Sequence, residues 1–370
     1  MYQKVNRICH ISTVHPLYDD RIFYKECISL SKDNYEVFLI ISHSINVTIQ
    51  NVKIVSLPYP SNRIRRFFCN SFTALHKAYS LKPALVHIHD PELMLLGIFF
   101  RLLGRKVIYD VHEDIAKQTL YKRWIGVHFF RFVTAKVLRF TEFLASLFFS
   151  AIVVVTEDIQ RNFRYSKTVL IRNYPRLDLI QDAQVPGMTK NRKVVIYTGN
   201  LSEVRGIKQI IDAMAFVDAE LWLIGRWESD DYNALCMKSD GWKNSKYIGE
   251  KRLEEVYGYL KLADIGLALL LPIKNYLTSL PVKAYEYMAL GIPMILSDFE
   301  YWKEVFSGCA LFADPYNTDD IVDKINILLT DVNVCQELSR NAQLRIGNGC
   351  TWETESKKLL SLYKGLLNEN

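Results

Sequence analysis

The chain has 370 residues, almost half of them apolar, with a formal net charge of +6 and no excess of Gly or Pro. That length is too great for one ordinary core and suits two domains, and the composition excludes a disordered or fibrous protein. Seven cysteines (Cys9, Cys27, Cys69, Cys236, Cys309, Cys335, Cys350), odd in number and never spaced C-x-x-C, argue against a disulfide framework and a structural zinc and for a reducing compartment.

Along the chain, short β-branched runs alternate with longer helical periods, the pattern of parallel α/β sheets. Met1–Arg7 runs straight into the strand Arg7–Ser12, unlike a signal peptide. Strands are then predicted at Tyr35–Ile41, Leu85–His89, Lys106–Asp110 and Ala151–Thr156, with helices at Ile22–Lys32, near Phe67–Ser80 and at Glu92–Leu103. The apolar run Phe143–Thr156 is shorter than the ~20 residues of a membrane-spanning helix.

A linker is expected at Asp182–Asn191, which holds Pro186 and Gly187 and has no periodicity. A second αβ series follows, with strands at Val194–Thr198, Glu220–Ile224, Tyr247–Ile248, Ile265–Leu270 and Met294–Ser297. Its helices fall at Gly206–Ala215, Leu253–Ala263, Leu280–Leu290 and Asp319–Thr330. The expectation is two Rossmann-like, doubly wound domains, residues 1–185 and 186–350, facing a central cleft, with 351–370 as a closing helix. No period of 20–50 residues repeats, which excludes a solenoid.

The segment VIYTGNLSEVRGIK, Val195–Lys208, resembles the phosphate-binding turn of family-four glycosyltransferases, retaining enzymes of the GT-B fold. The resemblance implies that Arg205 binds the donor diphosphate, where a cation stabilises the charge on the leaving group. Asn200 stands where relatives often carry a second cation. LPVKAYEYMALGIPMILSD, Leu280–Asp298, resembles the family's nucleotide-binding helix, and by that resemblance Glu286 accepts from the ribose hydroxyls. Eight residues earlier Thr278 replaces the usual first glutamate, which leaves Lys283 a candidate second phosphate ligand. The implied donor-binding set is Gly199, Asn200, Lys208, Ile248, Thr278, Leu280 and Lys283. The structural alternatives are a plain strand–turn–helix around Arg205 and an ordinary exposed helix carboxylate at Glu286.

In the first half, VHIHDPELMLL (Val86–Leu96) and VIYDVHED (Val107–Asp114) put polar residues just beyond apolar strands. The second resembles the family's D-x-H site, so His112 is expected to reach the donor sugar, with His89, Asp90, Asp110 and Glu113 as neighbours. The loop TVHPLYDDR, Thr13–Arg21, would turn His15, Asp20 and Arg21 toward the acceptor, unless Asp19 or Asp20 simply caps the following helix. WETESKKLLSLYKGLL, Trp352–Leu367, resembles the last helix, which crosses back to the N-terminal domain.

Ser61–Thr141 carries 14 Lys/Arg against five Asp/Glu. A basic face of this kind points to an anionic partner. Phe129, Val133, Val137, Phe140, Leu144 and Leu147 share one apolar helical face, which over Val133–Leu147 is expected to pack on the domain core. Lys122–Phe132 with Arg63, Arg65 and Arg66 is expected to contact anionic lipid. Nucleic acid is not expected, since no binding module accompanies the patch.

Taken together, the residues and the resemblance imply a metal-independent, retaining glycosyltransferase that needs no cofactor. It would move a sugar from a nucleotide-sugar donor to a glycan or lipid-linked acceptor at the cytoplasmic face of a membrane. The competing readings are a nucleotide-sugar epimerase on the same fold and a non-catalytic sugar-binding protein.

Overall fold

The computed structural model describes residues 6–120 and 126–368. They divide into two compact units: the chain up to Asn173 together with the segment from Glu353 onward, and Tyr174–Trp352.

The first unit holds strands β1 (Arg7–Ile11), β2 (Glu36–Ser42), β3 (Val47–Ile49), β4 (Val52–Leu57), β5 (Leu85–Ile88), β6 (Lys106–Val111), β7 (Ala151–Val154) and β8 (Thr168–Leu170). They form one sheet in the order β3-β4-β2-β1-β5-β6-β7-β8. β1, β5, β6 and β7 are apolar runs buried almost throughout, as strands with helices on both faces must be. β3 and β4 were not expected. They pair antiparallel about Gln50 and Asn51, both at positive φ, which is a two-residue hairpin turn built without glycine.

The second unit contains β9 (Val194–Thr198), β10 (Glu220–Ile224), β11 (Ser245–Gly249), β12 (Ile265–Ala268), β13 (Met294–Ser297) and β14 (Leu311–Ala313). Their order is β11-β10-β9-β12-β13-β14, all parallel, which is the doubly wound 3-2-1-4-5-6 arrangement. The first sheet repeats that order from β4 to β7. In such sheets ligands bind beyond the carboxyl ends of the strands where the winding reverses, here at β1/β5 and at β9/β12.

The division between units falls at Asn173/Tyr174, earlier than the expected boundary at 185. The helix Leu177–Asp182 belongs to the second unit because Ile180 and Ala183 join its core with Tyr257 and Leu260. Lys261 Nζ fastens this segment by donating to the Ala183 carbonyl at 2.7 Å. The closing helix, Trp352–Asn368, clusters with the first unit and buries Leu359, Leu362, Tyr363 and Leu366.

The helix His128–Ser146 packs opposite to expectation. Its buried residues are Ala135, Glu142, Ala145 and Ser146, while Phe140 is 60% exposed. Val133, Val137, Leu144 and Leu147 are exposed with it. Small side chains allow close approach on the inner face, and Arg139 is drawn inward by two 2.7 Å bonds to the buried Asp114 carboxylate. The apolar stripe is therefore left outward. Lys122 and Arg123 lie outside the described residues.

Candidate functional site

In the second unit β9 ends at Thr198 and the chain turns at Gly199, with φ +115. A Cβ there would stand 3.3 Å from Lys283 Nζ, so the missing side chain leaves room for that ammonium beside the turn. Gly206 closes the turn at φ +66. A Cβ at that position would collide with the Leu269 carbonyl oxygen at 2.1 Å, which ties the turn to the end of β12.

Lys283 lies in the helix Val282–Leu290, only 8% exposed, with Nζ 3.6 Å from the centroid of the Tyr197 ring. Nζ has no hydrogen-bond partner among the described residues. Burial, and then the nearby Arg205 charge, hold its pKa well below the ordinary lysine value, against the opposing pull of Glu286. Arg205 hydrogen-bonds the Tyr197 hydroxyl, so one aromatic ring organises both cations. Glu286 is 7% exposed and accepts from the Tyr257 hydroxyl at 3.2 Å. It is a buried carboxylate one turn from a buried lysine, not a solvated one.

The other expected donor-side residues divide. Lys208 Nζ is engaged by Asp212 at 2.6 and 2.7 Å, and its expected assisting role meets a side chain already paired. Asn200 and Thr278 are exposed, Leu280 packs at the margin of the core, and Ile248 lies in the edge strand β11. Tyr197 was not foreseen: within an apolar strand it reads as core.

In the first unit, histidines and carboxylates converge where β1, β5 and β6 end. Asp90 Oδ2 accepts from Ser12 Oγ at 2.9 Å and from the Thr13 amide at 2.7 Å, bracing the loop after β1. Asp19 caps the next helix through the amides of Arg21 and Ile22, each at 2.9 Å, so the capping reading applies to Asp19. Asp20 pairs with Lys25 at 2.6 Å. Arg21 does not face an acceptor. It is buried and makes two 2.8 Å bonds to Asp110, whose charge its guanidinium balances. Burial would raise the Asp110 pKa, but Arg21 and the His112 and His89 hydrogen bonds hold it well below the usual carboxylate range. His89 is likewise buried, 3.2 Å from Asp110, and Glu113 is exposed.

His112 and His15 are the partly exposed members. His112 Nδ1 lies 3.3 Å from Asp110 Oδ2, and its Nε2 lies 3.0 Å from His15 Nε2. His15 Nδ1 is 3.1 Å from Asp19. Burial alone would lower the His15 pKa, but the Asp19 hydrogen bond and charge, with Asp90 and Glu113, push it up to about 9. His15 is thus an imidazolium at neutral pH, donating to both Asp19 and His112, which makes His112 the Nδ1–H tautomer. The residues that sequence reasoning missed, His10, Glu26, His87 and Tyr363, lie beneath this group. The H-x-H spacing of His87 and His89, which puts both on one face of a strand, was the available signal.

Two parallel-sheet units of the same doubly wound order define the GT-B class of fold. Within it, residues 180–345, most of the second unit, match the family described as Glycosyl transferases group 1. An uncharacterised glycosyltransferase of Methanocaldococcus jannaschii is 23% identical over 187 residues, a match covering 48% of this chain and 46% of that protein. The chain therefore spans about half the length of this curated relative. Sucrose-phosphate synthase of Thermosynechococcus elongatus superimposes with a TM-score of 0.77 at 16% identity, covering 99% of this chain and all of the other. HepE of Anabaena, in complex with UDP and glucose, superimposes with a TM-score of 0.71 at 14% identity over 96% of this chain and 99% of its own.

Proposed function

We propose that the protein is a glycosyltransferase that moves a sugar from a nucleotide-sugar donor to a glycan or lipid-linked acceptor, with retention and without a metal in the transfer step. The observation that carries this reading is Lys283: a buried ammonium without a hydrogen-bond partner among the described residues, against the turn at Gly199 and near Arg205 and Glu286. A buried unpaired cation is costly, and a diphosphate supplies the missing charge. Lys283 stands in for the cation absent at Asn200, Arg205 binds the same diphosphate, and Glu286 takes the ribose hydroxyls. The phosphate ligands stabilise charge developing on the leaving group, which is where positioned cations contribute most to the rate. His112 is assigned to the transferred sugar, and its Nδ1–H bond to Asp110 fixes the ring. HepE, which shares the fold, was solved in complex with UDP and glucose, which supports a nucleotide-sugar donor for this chain.

A thermal-shift panel of UDP-, GDP- and ADP-sugars identifies the donor, since a ligand bound only by the folded chain raises the melting temperature. Lys283→Met is expected to weaken nucleotide binding by at least about tenfold, on the order of a lost charge-assisted bond. The ligand-free protein should melt no lower, because the substitution removes an unpaired buried charge. Unchanged nucleotide affinity in that variant would refute the role given to Lys283.

We further infer that the first unit docks on an anionic inner membrane surface. Supporting this are the exposed Phe129, Phe130, Phe132, Val137 and Phe140 on the helix His128–Ser146. The helix Met94–Leu102 lies beside the end of that helix, where Arg101 Nε donates to the Phe148 carbonyl at 2.9 Å, and adds exposed Leu95, Phe99 and Leu102. A contiguous apolar surface with basic flanks suits an interfacial contact. None of the described helices is long and apolar enough to cross a membrane. Vesicles containing phosphatidylglycerol should co-sediment the wild type and release it when Phe129, Phe130 and Phe132 are replaced by Ser. Equal sedimentation of both would exclude this surface.

A further inference from the structure

The densest group of titratable side chains not used by that reading lies within the first unit. His10 in β1 and His87 in β5 are direct cross-strand partners, and His89 follows two residues later. Glu26, on the helical segment Asp20–Cys27, points at all three, and all four side chains are fully buried. Glu26 Oε2 is 3.8 Å from His10 Nδ1, 3.8 Å from His87 Nδ1 and 3.9 Å from His89 Nε2. His10 Nδ1 and His89 Nε2 are themselves 3.0 Å apart.

Three of these atoms, His10 Nδ1, His89 Nε2 and Glu26 Oε2, form a compact triangle. The point equidistant from them lies about 2.1 Å from each, which is the length of a zinc–nitrogen or zinc–oxygen bond. Three polar atoms in the group have no hydrogen-bond partner among the described residues: both Glu26 carboxylate oxygens and His87 Nε2. Glu26 Oε1 lies 3.2 Å from Arg21 Nε, so Oε2 is the oxygen left facing the imidazoles. Glu26 Oε2, a fully buried oxygen without a hydrogen-bond partner among the described residues, calls for a bound species.

The outer ring nitrogens of two of the histidines are already oriented. His89 Nδ1 lies 3.2 Å from Asp110 Oδ2, and His10 Nε2 lies 3.1 Å from the Tyr363 hydroxyl. A carboxylate or hydroxyl behind a ligating imidazole is the usual arrangement for setting the tautomer that presents a lone pair inward.

We propose that His10 Nδ1, His89 Nε2 and Glu26 Oε2 bind one zinc-type divalent cation, with His87 Nδ1 as the fourth ligand. Imidazole-rich coordination favours zinc or a neighbouring first-row metal over magnesium or calcium, which take oxygen ligands. Binding displaces the proton shared by His10 and His89, and Glu26 coordinates as the carboxylate. Tyr363, 2.7 Å from His87 Nδ1, then serves His10 alone. The ion ties β1 and β5 to the segment Asp20–Cys27 and takes no part in sugar transfer, so the proposal stands apart from the donor-site reading.

The test uses the full-length protein, stripped with a chelator, desalted and titrated with zinc chloride or cobalt chloride. One equivalent of zinc per chain should be retained after desalting, with a higher melting temperature, and cobalt should give the visible absorption of a tetrahedral site. Glu26→Gln, which preserves volume, and His10→Gln should each lower zinc affinity at least about tenfold, while His112→Gln should leave it unchanged. Retention below about a tenth of an equivalent in excess zinc would overturn the proposal. So would undiminished binding by folded Glu26→Gln. Loss of binding in His112→Gln would move the site to His89, Asp110 and His112, and would also overturn it. Should the buried variants fail to fold, absence of the cobalt spectrum in the wild type decides against the site.

Discussion

His15 and Lys283 are buried to different extents, and their pKa values shift in opposite directions for physical reasons visible in their neighbours. Lys283 has no hydrogen-bond partner among the described residues, and burial with the nearby Arg205 charge holds its pKa well below the ordinary lysine value. His15 has Asp19 at 3.1 Å and is held as an imidazolium with its pKa near 9. A folded-state pKa above the unfolded value means that the folded state binds the proton more tightly. The stabilisation from this pair is therefore complete below about pH 6.5 and is lost as pH rises through about 9. Urea unfolding at pH 6 and at pH 9.5 should show the wild type losing more stability across that interval than His15→Gln. Equal slopes for the two proteins would dismiss the ion pair as a stabilising contact.

Helix His128–Ser146 shows how one buried acid on an inner face creates a pH dependence of the same sign from a different cause, burial rather than an ion pair. Glu142 is buried against the sheet and accepts from the Tyr109 hydroxyl at 3.1 Å. Burial pushes its pKa up to about 7, and the Arg139 charge and the Tyr109 bond offset that only in part. The folded state thus favours the protonated acid, so its contribution is full below about pH 4.5 and declines as pH rises through about 7. Glu142→Gln, which keeps the hydrogen-bond acceptor, should melt higher than the wild type at pH 8 and lose that advantage near pH 4.5. A variant that melts lower at pH 8 would mean that Glu142 is a net stabilising anion. The same helix explains a limit of periodicity: the stripe Phe129, Val133, Val137, Phe140 is amphipathic whichever face is buried. The inward choice was made by Asp114 holding Arg139 and by the small residues Ala135, Ala145 and Ser146, which no one-dimensional pattern ranks above phenylalanine.

At the scale of the molecule, the first unit is closed by a segment from the far end of the chain. Leu359, Leu362, Tyr363 and Leu366 are buried, and each apolar side chain of that kind contributes about 1.5–3 kcal/mol. Truncation after Trp352 should destabilise the first unit by several kcal/mol, seen as a lower-melting transition in calorimetry, while nucleotide affinity of the second unit is retained. Loss of nucleotide binding on truncation would show that the second unit also depends on this helix.

The amino-acid order by itself determined the alternation of strands and helices, the doubly wound class, and the turn Val195–Lys208 with its neighbour at Glu286. These depend on local chemistry: apolar runs buried on both faces, and glycines where φ is positive. Tertiary structure alone decided which charged groups are free to act. Arg21, Asp110 and His89 read like surface groups at strand ends, yet they are consumed by one another in the interior, because strands far apart in the chain lie side by side. Lys208 and Lys283 both read as phosphate ligands, and only packing showed that Asp212 engages the first while no acceptor among the described residues reaches the second. The β3–β4 hairpin and the buried group of His10, Glu26, His87 and His89 were hidden for the same reason. Their partners are fixed by sheet register and burial, which sequence spacing does not encode.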